Sequence, residues 1–452
     1  MLITFNSGCA QIGAPTGGPK DTLAPVLTKA SPENNKINFT GNKITLSFNE
    51  YIELKDLSSN ILVSPVPKTN PTVGYNLKTV TVKLRDTLQP NTTYSINFGN
   101  AIVDIHEGNI MKDFTYTFST GPFIDSMKFS GKVILAETGK ADSTIAVYLY
   151  KDAVDTSVTS RKPNYIARTD GQGKFTFKNL PAEHFRIYAL KDGDGGKTYN
   201  AKTELFAFND EEINTAENVK DVILFAYAEE KPAASSSQRN TGSGQSKKEA
   251  EKKLRFTSSL SNNQQDLLLP FSINFGNALK TFDSTKIILA DTNFRPFKNV
   301  MATLDTSRKN VIINVSWQPE TPYIAIVQQD IAEDSLGNKL DKTDTLRFTT
   351  KKESDYGRLV LRFKNIHLAK HPVIQFLQTD VLKFSFPVTT NEWKNNRFVP
   401  GEYDVRILYD SNNNGNWDPG NYKEKRQPEL AIPLPQKIAI KADWDNERDI
   451  QL

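Results

Sequence analysis

Cysteine is almost missing from this sequence: Cys9 is the single thiol in 452 residues, which excludes an internal disulfide framework and any thiolate metal cluster. Histidine is scarce as well, with only His106, His184, His367 and His371 to supply acid–base or metal chemistry. His367 and His371 stand four apart, a zinc spacing on a helix, but "NIHLAKHPV" ends in Pro after a strand-like run and has no Glu beside the first His. Solvated turn histidines are the expectation there. Charge of one sign is lacking too: 56 Lys and Arg against 52 Asp and Glu leave +4, spread along the chain, with no field to gather nucleic acid. No stretch approaches the roughly 18 apolar residues of a membrane-spanning helix. Gly-rich phosphate loops opening a helix and Gly-x-Ser-x-Gly elbows are absent, and nothing brings two of the dispersed carboxylates together as a glycosidase pair. These absences predict a protein that is not an enzyme.

What the sequence does have is aromatic residues, 26 Phe and 15 Tyr, and length enough for three to five domains. It also repeats itself. "LQPNTTYSINFGNAIVDIHEGNIMKDFTYTFSTG" (88–121) has a partner in "WQPETPYIAIVQQDIAEDSLGNKLDKTDTLRFTTK" (317–351), sharing Gln-Pro, then Thr and Tyr, then an Asp with a downstream Gly-Asn, then a closing Phe-Ser/Thr-Thr. Upstream, "KTVTVKL" (78–84) matches "KNVIINV" (309–315), and "ITLSFNEYI" pairs loosely with "FSINFGNAL". Val80, Val82 and Leu84 alternate with Thr79, Thr81 and Lys83, as in a strand with one face buried and one wet. A second unit recurs as "GKFTFKNLPAEHFRIYALKDGDGGKTYN" (173–200) and "NRFVPGEYDVRILYDSNNNGNWDPGNY" (396–422). Short strands punctuated by Asn, Gly, Pro and Asp predict an all-β, multidomain chain in the order A, B, A′, B′. Residues 229–253, rich in Ser, Gly, Lys and Glu, hold too few apolar side chains to fold alone and predict a disordered linker.

The A units resemble the SbsA-type bacterial immunoglobulin-like domain, through "SP" at Ser31 and Pro32, "ITLSFNEYI", "LQPNTTYSINF", "AIVD" with "GN", and "FTYTFSTG". The B units resemble transthyretin-like or carboxypeptidase-regulatory-like modules, through "SGKV", "IAVYLY" and "ARTDGQGKFTFKNLPAEHFRIYAL", with "TDGQGKFTF" read as a hairpin; B′ keeps "PGEYDVRILYD". The segment "NSGCAQ" resembles the lipobox of bacterial lipoproteins, although only eight residues precede Cys9, and "CAQIGAPTGGPKDTLAP" is similar to the opening of Bacteroidota lipoproteins save for Ala24. These resemblances imply tandem Ig-like and transthyretin-like β-sandwiches: 1–23 lipobox and tether, 24–121 Ig-like, 122–228 transthyretin-like, 229–253 linker, 254–351 Ig-like, and 352–452 transthyretin-like. They further imply a non-catalytic envelope lipoprotein acylated at Cys9 and held at the outer membrane, acting as a spacer or a scaffold for an envelope partner such as an outer-membrane barrel or secretion assembly. A carbohydrate-binding surface lipoprotein is the alternative. It needs a row of exposed aromatics, for which Trp393, Trp417 and Trp444 are the candidates.

One loop has ligand chemistry. In "YDSNNNGNWDPG" (409–420), Asp410, Asn412, Asn414, the Asn416 carbonyl and Asp418 fall where an EF-hand-type calcium loop places its oxygens, with Gly415 at its turn. Asn421 stands where the bidentate acid belongs, so calcium would bind with modest affinity unless Glu424 or Glu429 folds back; an Asx-rich turn is the competing expectation. In "LKDGDGGKTYN" Asp192 and Asp194 remain, but Gly196 replaces the third ligand. Triplets of Asp, then Ser or Thr, then Ala, Ile, Leu, Val, Met or Thr, resembling the O-glycosylation sites of Bacteroidota, occur at Thr22, Thr87, Ser126, Ser143, Ser284, Ser335 and Thr345.

Overall fold

The computed structural model describes residues 20–151, 154, 156–217, 221–231, 253–298 and 300–452. Cys9, its tether and most of the 229–253 linker lie outside the described residues. Contacts divide the chain into two units, one holding residues up to Ala233 together with Asn416–Ile432, the other Ala234–Gly415 with Pro433–Leu452. Both are β-structures, with helices of at most four residues among the described ones.

In the first unit, Lys43–Phe48 pairs antiparallel with Leu27–Ser31 and Thr79–Lys83, and the latter with Thr72–Asn76. A second sheet joins Leu62–Ser64, Thr93–Asn97 and Thr115–Ser119, and a small pair joins Ile52–Leu54 to Ile102–Asp104. Leu46, Val80, Val82, Ile96 and Phe118 from the two sheets meet in one core. Val80 and Val82 are fully buried while Lys83 is exposed, so the alternation in "KTVTVKL" sets which face goes inward.

The next module of the same unit opens with Met127–Leu135, which pairs antiparallel with Lys174–Leu180 and parallel with Val222–Ala226. A Cβ on Gly131 would stand 2.3 Å from the Val222 carbonyl oxygen, so this strand passes its parallel neighbour only with glycine there. The opposing sheet runs Tyr165–Arg168, Ala146–Lys151, His184–Leu190, Phe206–Phe208. Val133, Val147, Leu149 and Ile187 fill the space between the sheets. The "TDGQGKFTF" stretch does not form the expected hairpin. Its two strands pair with different partners, and the turn, closed by Gln172 and Lys174 N–H groups on Asp170, carries the chain from one sheet to the other.

The second unit uses both strand plans again. Phe271–Phe275 lies between Phe256–Ser258 and Asn310–Ile313, and Pro322–Val327 between Ile287–Ala290 and Asp344–Thr350. Leu279–Phe282 pairs with Ala332–Asp334, as Ile52–Leu54 does with Ile102–Asp104. Gly357–Lys364 then takes an antiparallel neighbour, Glu392–Phe398, and a parallel one, Asp445–Gln451, while Pro372–Gln378 sits between Val381–Pro387 and Gly401–Tyr409. Two separate cores result, one around Phe271, Val311 and Phe348 and one around Leu361, Phe376 and Ile407.

Candidate functional site

The two sequence signatures of the A units have structural work to do. Thr92 and Thr321 each donate a hydroxyl hydrogen bond of 2.9 Å back to the proline carbonyl two residues earlier. The tyrosines that follow, Tyr94 and Tyr323, accept from the backbone N–H of Gln89 and Gln318 at 2.9 and 3.4 Å. Thr120 and Thr350 close each corner by donating to the Gln89 and Gln318 carbonyls. The shared Asp is a loop organiser: buried Asp104 accepts the N–H groups of His106, Glu107, Gly108 and Asn109, and Asp334 those of Leu336 and Asn338. Burial alone would raise the Asp334 carboxyl, but the Asn338, Asn277 and Leu336 donors outweigh it and hold it at about 2. These residues build the fold rather than a reacting centre.

The loops at the end of the strands His184–Leu190 and Gly401–Tyr409 differ. In the first, Asp192, Asp194 and Glu204 bring carboxylate oxygens within 4.8 Å of one another, a grouping that could hold a metal ion. Glu204, twelve residues beyond Asp192, was not visible from ligand spacing. The carboxylates also serve the loop itself. Asp192 accepts from Gly195 and Lys197 N–H, Asp194 from Gly196 N–H and the Asn200 amide, and Glu204 from Gly193, Asn200 and Ala201 N–H.

The candidate calcium loop crosses the division between the units, and each half is ordered locally. Asp410 is buried and accepts the Asn414 N–H at 3.2 Å and the Gly415 N–H at 2.6 Å, while Asn412 accepts a second bond from Asn414 N–H. In the first unit, Glu429 does return to Asp418: the Asp418 N–H donates to its carboxylate, and the Glu429 N–H donates to the Asp418 carbonyl.

The rest of that segment covers an aromatic face. Tyr148, Tyr150, Tyr188, Phe206, Phe208 and Tyr227 lie on the outer side of the sheet, and Tyr422, Trp417 and Leu430 pack over them. Tyr422 meets Phe206 at a 5.0 Å centroid distance and its hydroxyl lies 3.2 Å from that of Tyr188. Gly420 is required in the segment, since a Cβ there would come within 2.5 Å of the Tyr227 ring. Burial pushes the Tyr148, Tyr150 and Tyr227 hydroxyls upward, so these three hold their protons into the alkaline range. The sequence carried a signal for this face: "AVYLYK" is apolar on both sides of the strand, the pattern of a sheet buried on both faces.

The other candidates disperse. All four histidines are exposed, and His367 and His371 flank a short 3₁₀ turn, Leu368–Lys370, not an α-helix. Among the described residues no histidine belongs to a group of metal-ligand side chains. Trp393 packs among Phe376, Phe386 and Phe398, and the Trp417 indole N–H donates to the Glu429 carbonyl at 2.7 Å. Trp444 alone of the three is exposed, with Lys441 over its ring, so they offer no aromatic row. A cleft of about 310 Å³ in the first Ig-like module is lined by Val63, Pro65, Pro67, Leu84, Leu88 and Tyr94. Its acid, Asp86, is occupied by the Thr69 N–H, and no second carboxylate or histidine lines it. The Ser and Thr of all seven Asp-Ser/Thr triplets are exposed. No described helix is long and apolar enough to cross a membrane.

Residues 21–120 match the family described as the bacterial Ig-like domain. No curated protein matches the chain. Among solved structures, the chain is similar to the N-terminal part of the bacterial S-layer protein SbsC, at 16% identity and a TM-score of 0.17, covering 38% of this chain and 42% of that one. It is also similar to BcpA, the major pilin subunit of Bacillus cereus, at 10% identity and a TM-score of 0.17, covering 72% and 99%. The Bacillus anthracis TIE protein matches at 11% identity and a TM-score of 0.16, covering 97% and 76%. Likenesses this weak define no shared arrangement. The first 100 or so described residues are an Ig-like domain, and the chain is a multidomain all-β protein.

Proposed function

We propose that this protein is a non-catalytic cell-envelope lipoprotein, anchored at the outer membrane through lipid on Cys9 and serving as a spacer or protein-interaction scaffold. In this reading its body is four sandwich modules, 24–121, 122–228, 254–351 and 352–452, with 229–253 as the linker. The observation that carries the reading is the division of the apolar residues among separate, aromatic-filled sandwich cores, with the polar signature residues spent on turns. Catalysis needs ionisable groups converging in a water-poor cleft. The proline-lined cleft at Val63–Tyr94 has one acid, already bonded.

Stiff junctions suit a spacer. Within the first unit, the Arg168 guanidinium donates to the Asn60 carbonyl at 2.8 Å and to that of Ser59, and the Val66 N–H donates to the Asn164 carbonyl at 2.7 Å. The partner is an envelope protein, with an outer-membrane barrel or secretion assembly as the expectation. Calcium is proposed as a stiffening ion for the 410–418 loop on its residue sequence, and the exposed Asp-Ser/Thr triplets as glycan acceptors. The test is affinity purification from native membranes with mass spectrometry. Diacylglyceryl and acyl mass on Cys9, lost in Cys9→Ser together with the carbonate-resistant part of membrane attachment, and a co-purifying barrel protein are the expected results. An unmodified Cys9 in a protein that stays in the soluble fraction would overturn the reading.

A further inference from the structure

At one end of the first Ig-like module the loop tips present apolar side chains to solvent. Leu23, Val26, Tyr51, Leu77 and Ile105 are 72%, 58%, 46%, 65% and 53% exposed. They form one surface, because backbone bonds tie their loops together: Val26 N–H donates to the Asn49 side chain, Ile52 N–H to the Leu77 carbonyl, and Ile105 N–H to the Tyr51 carbonyl. Lys78 sits over the Tyr51 ring at 5.2 Å and donates to the Asn49 carbonyl. Leu77 is held at φ 52, a left-handed conformation that glycine or asparagine would adopt cheaply and leucine does not. That cost is borne on a side chain exposed to solvent, which makes Leu77 the residue of this end on which a contact is best tested.

The chain leads into this same end. The Asn109 amide donates to the Asp21 carbonyl at 3.1 Å, fixing residue 21 beside the 104–110 loop. Cys9 precedes Lys20 by eleven residues, at most about 38 Å of extended chain.

We infer that this apolar end is a membrane-docking surface, which lies on the lipid bilayer that receives the acyl chains of Cys9. The inference rests on the anchor reading above and adds an orientation to it. Around Glu50 the charges are Lys78 and the carboxylates Asp21, Asp104 and Glu107, with exposed Lys20 beside Asp21, so carboxylates outnumber cations and attraction to anionic headgroups does not drive the contact. Apolar insertion into the headgroup and acyl boundary does, and zwitterionic lipid suffices. Tyr51 and Lys78 suit that boundary, each with an apolar body and a polar tip.

The test uses the full chain carrying Cys9→Ser and a single new cysteine, Leu77→Cys, labelled with an environment-sensitive fluorophore, with Lys174→Cys in the neighbouring module as the distant control. With phosphatidylcholine vesicles, emission from position 77 rises several-fold and that from position 174 stays flat. Combined Leu23→Ser, Tyr51→Ser and Ile105→Ser cut vesicle partitioning about tenfold or more. Leu77→Asn raises the melting temperature while lowering partitioning, which separates the docking role from folding. The inference is overturned if position 77 stays dim both in the Cys9→Ser chain and in the chain acylated at Cys9. It is also overturned if position 77 is shielded without vesicles, as a second copy or residues 1–19 would do. An acylated chain that floats with vesicles while position 77 stays dim removes the docking and keeps the anchor. Cys9 found unmodified in the protein isolated from native membranes, with position 77 still brightening on vesicles, removes the anchor and keeps the docking.

Discussion

Tyr188 and Arg406 hold the same place in two copies of one sandwich. Each lies four residues before an aspartate just beyond its strand, Asp192 or Asp410, and each faces its cross-strand partner in register, Tyr148 in one copy and Gln375 in the other. In the first copy this outer position is part of an aromatic face that buries Tyr422, Trp417 and Leu430. In the second the pair is polar: Arg406 Nε–H donates to the Gln375 side-chain oxygen Oε1 at 2.7 Å, and both residues are buried. The strand plan is indifferent to this choice, because the core between the sheets is made by the alternate residues, Val147, Leu149 and Ile187 or Ile374, Phe376 and Ile407. The outer face decides what each copy does next. An uncharged aromatic face is stable only when covered by apolar atoms, whereas a buried guanidinium is stable only when its donors are met.

The contrast is broken most severely at Tyr422. Tyr422→Ala removes the ring that covers Tyr188 and Phe206 and is expected to cost the first unit about 3–5 kcal/mol, with the second unit's transition unmoved. Calorimetry with both transitions resolved checks it. Tyr422→Phe, which loses only the hydroxyl contact, is expected to cost about 1 kcal/mol.

Arg406→Met probes the polar copy. It leaves the buried Gln375 oxygen without its donor and is expected to lower the second unit's stability by about 1–3 kcal/mol in denaturant titration. Arg406→Met combined with Gln375→Leu should recover part of that loss, since neither partner is then left unmet.

Alkaline pH separates the copies without mutation. Burial raises the hydroxyls of Tyr148, Tyr150 and Tyr227 above their unfolded value near 10, so the folded state holds those protons more tightly. The stability they contribute is present below pH 10 and is lost as pH rises beyond it, and the Gln375–Arg406 pair has no counterpart to this loss. Burial raises Tyr356 and Tyr403 in the second unit as well, but the first unit also has Tyr116, Tyr165 and Tyr199 raised, so it should weaken more steeply above pH 10, followed by melting at stepped pH.

Calcium gives the smallest effect. With five oxygen-bearing positions and no bidentate acid in sequence at position 421, the 410–418 loop would bind in the weak range, and a tenfold excess over its dissociation constant is expected to stabilise by about 1.4 kcal/mol. Asp410→Asn removes that increment, read as the calcium-dependent shift in melting temperature.

Much of this architecture was legible in the residues. The alternation of Val80 and Val82 with threonines, and of Val311 and Ile313 with Ile312 and Asn310, set the faces of strands that occupy the same place in the two Ig-like sheets. The Gln-Pro, Thr and Tyr corner and the Asp with its Gly-Asn were found as repeats, and the structure supplies their work. The turn at Asp170 was misread as a hairpin because turn chemistry specifies a reversal locally, while strand partners are chosen by the sheet. Glu204 and Tyr422 were missed for a related reason. Each acts on residues brought near by topology, and no spacing along the chain announces that Tyr422 will pack against Tyr188, 234 residues away.

The central claim is that separate sandwich cores carry this protein, with the 416–432 segment completing the aromatic face of the first unit. Hydrogen exchange on Tyr422→Ala tests it most directly. The claim predicts lost protection in Ala146–Lys151, His184–Leu190 and Phe206–Phe208, with Phe271–Phe275 and Pro322–Val327 unchanged. Unaltered protection in His184–Leu190, or loss spread evenly over all these strands, would contradict it.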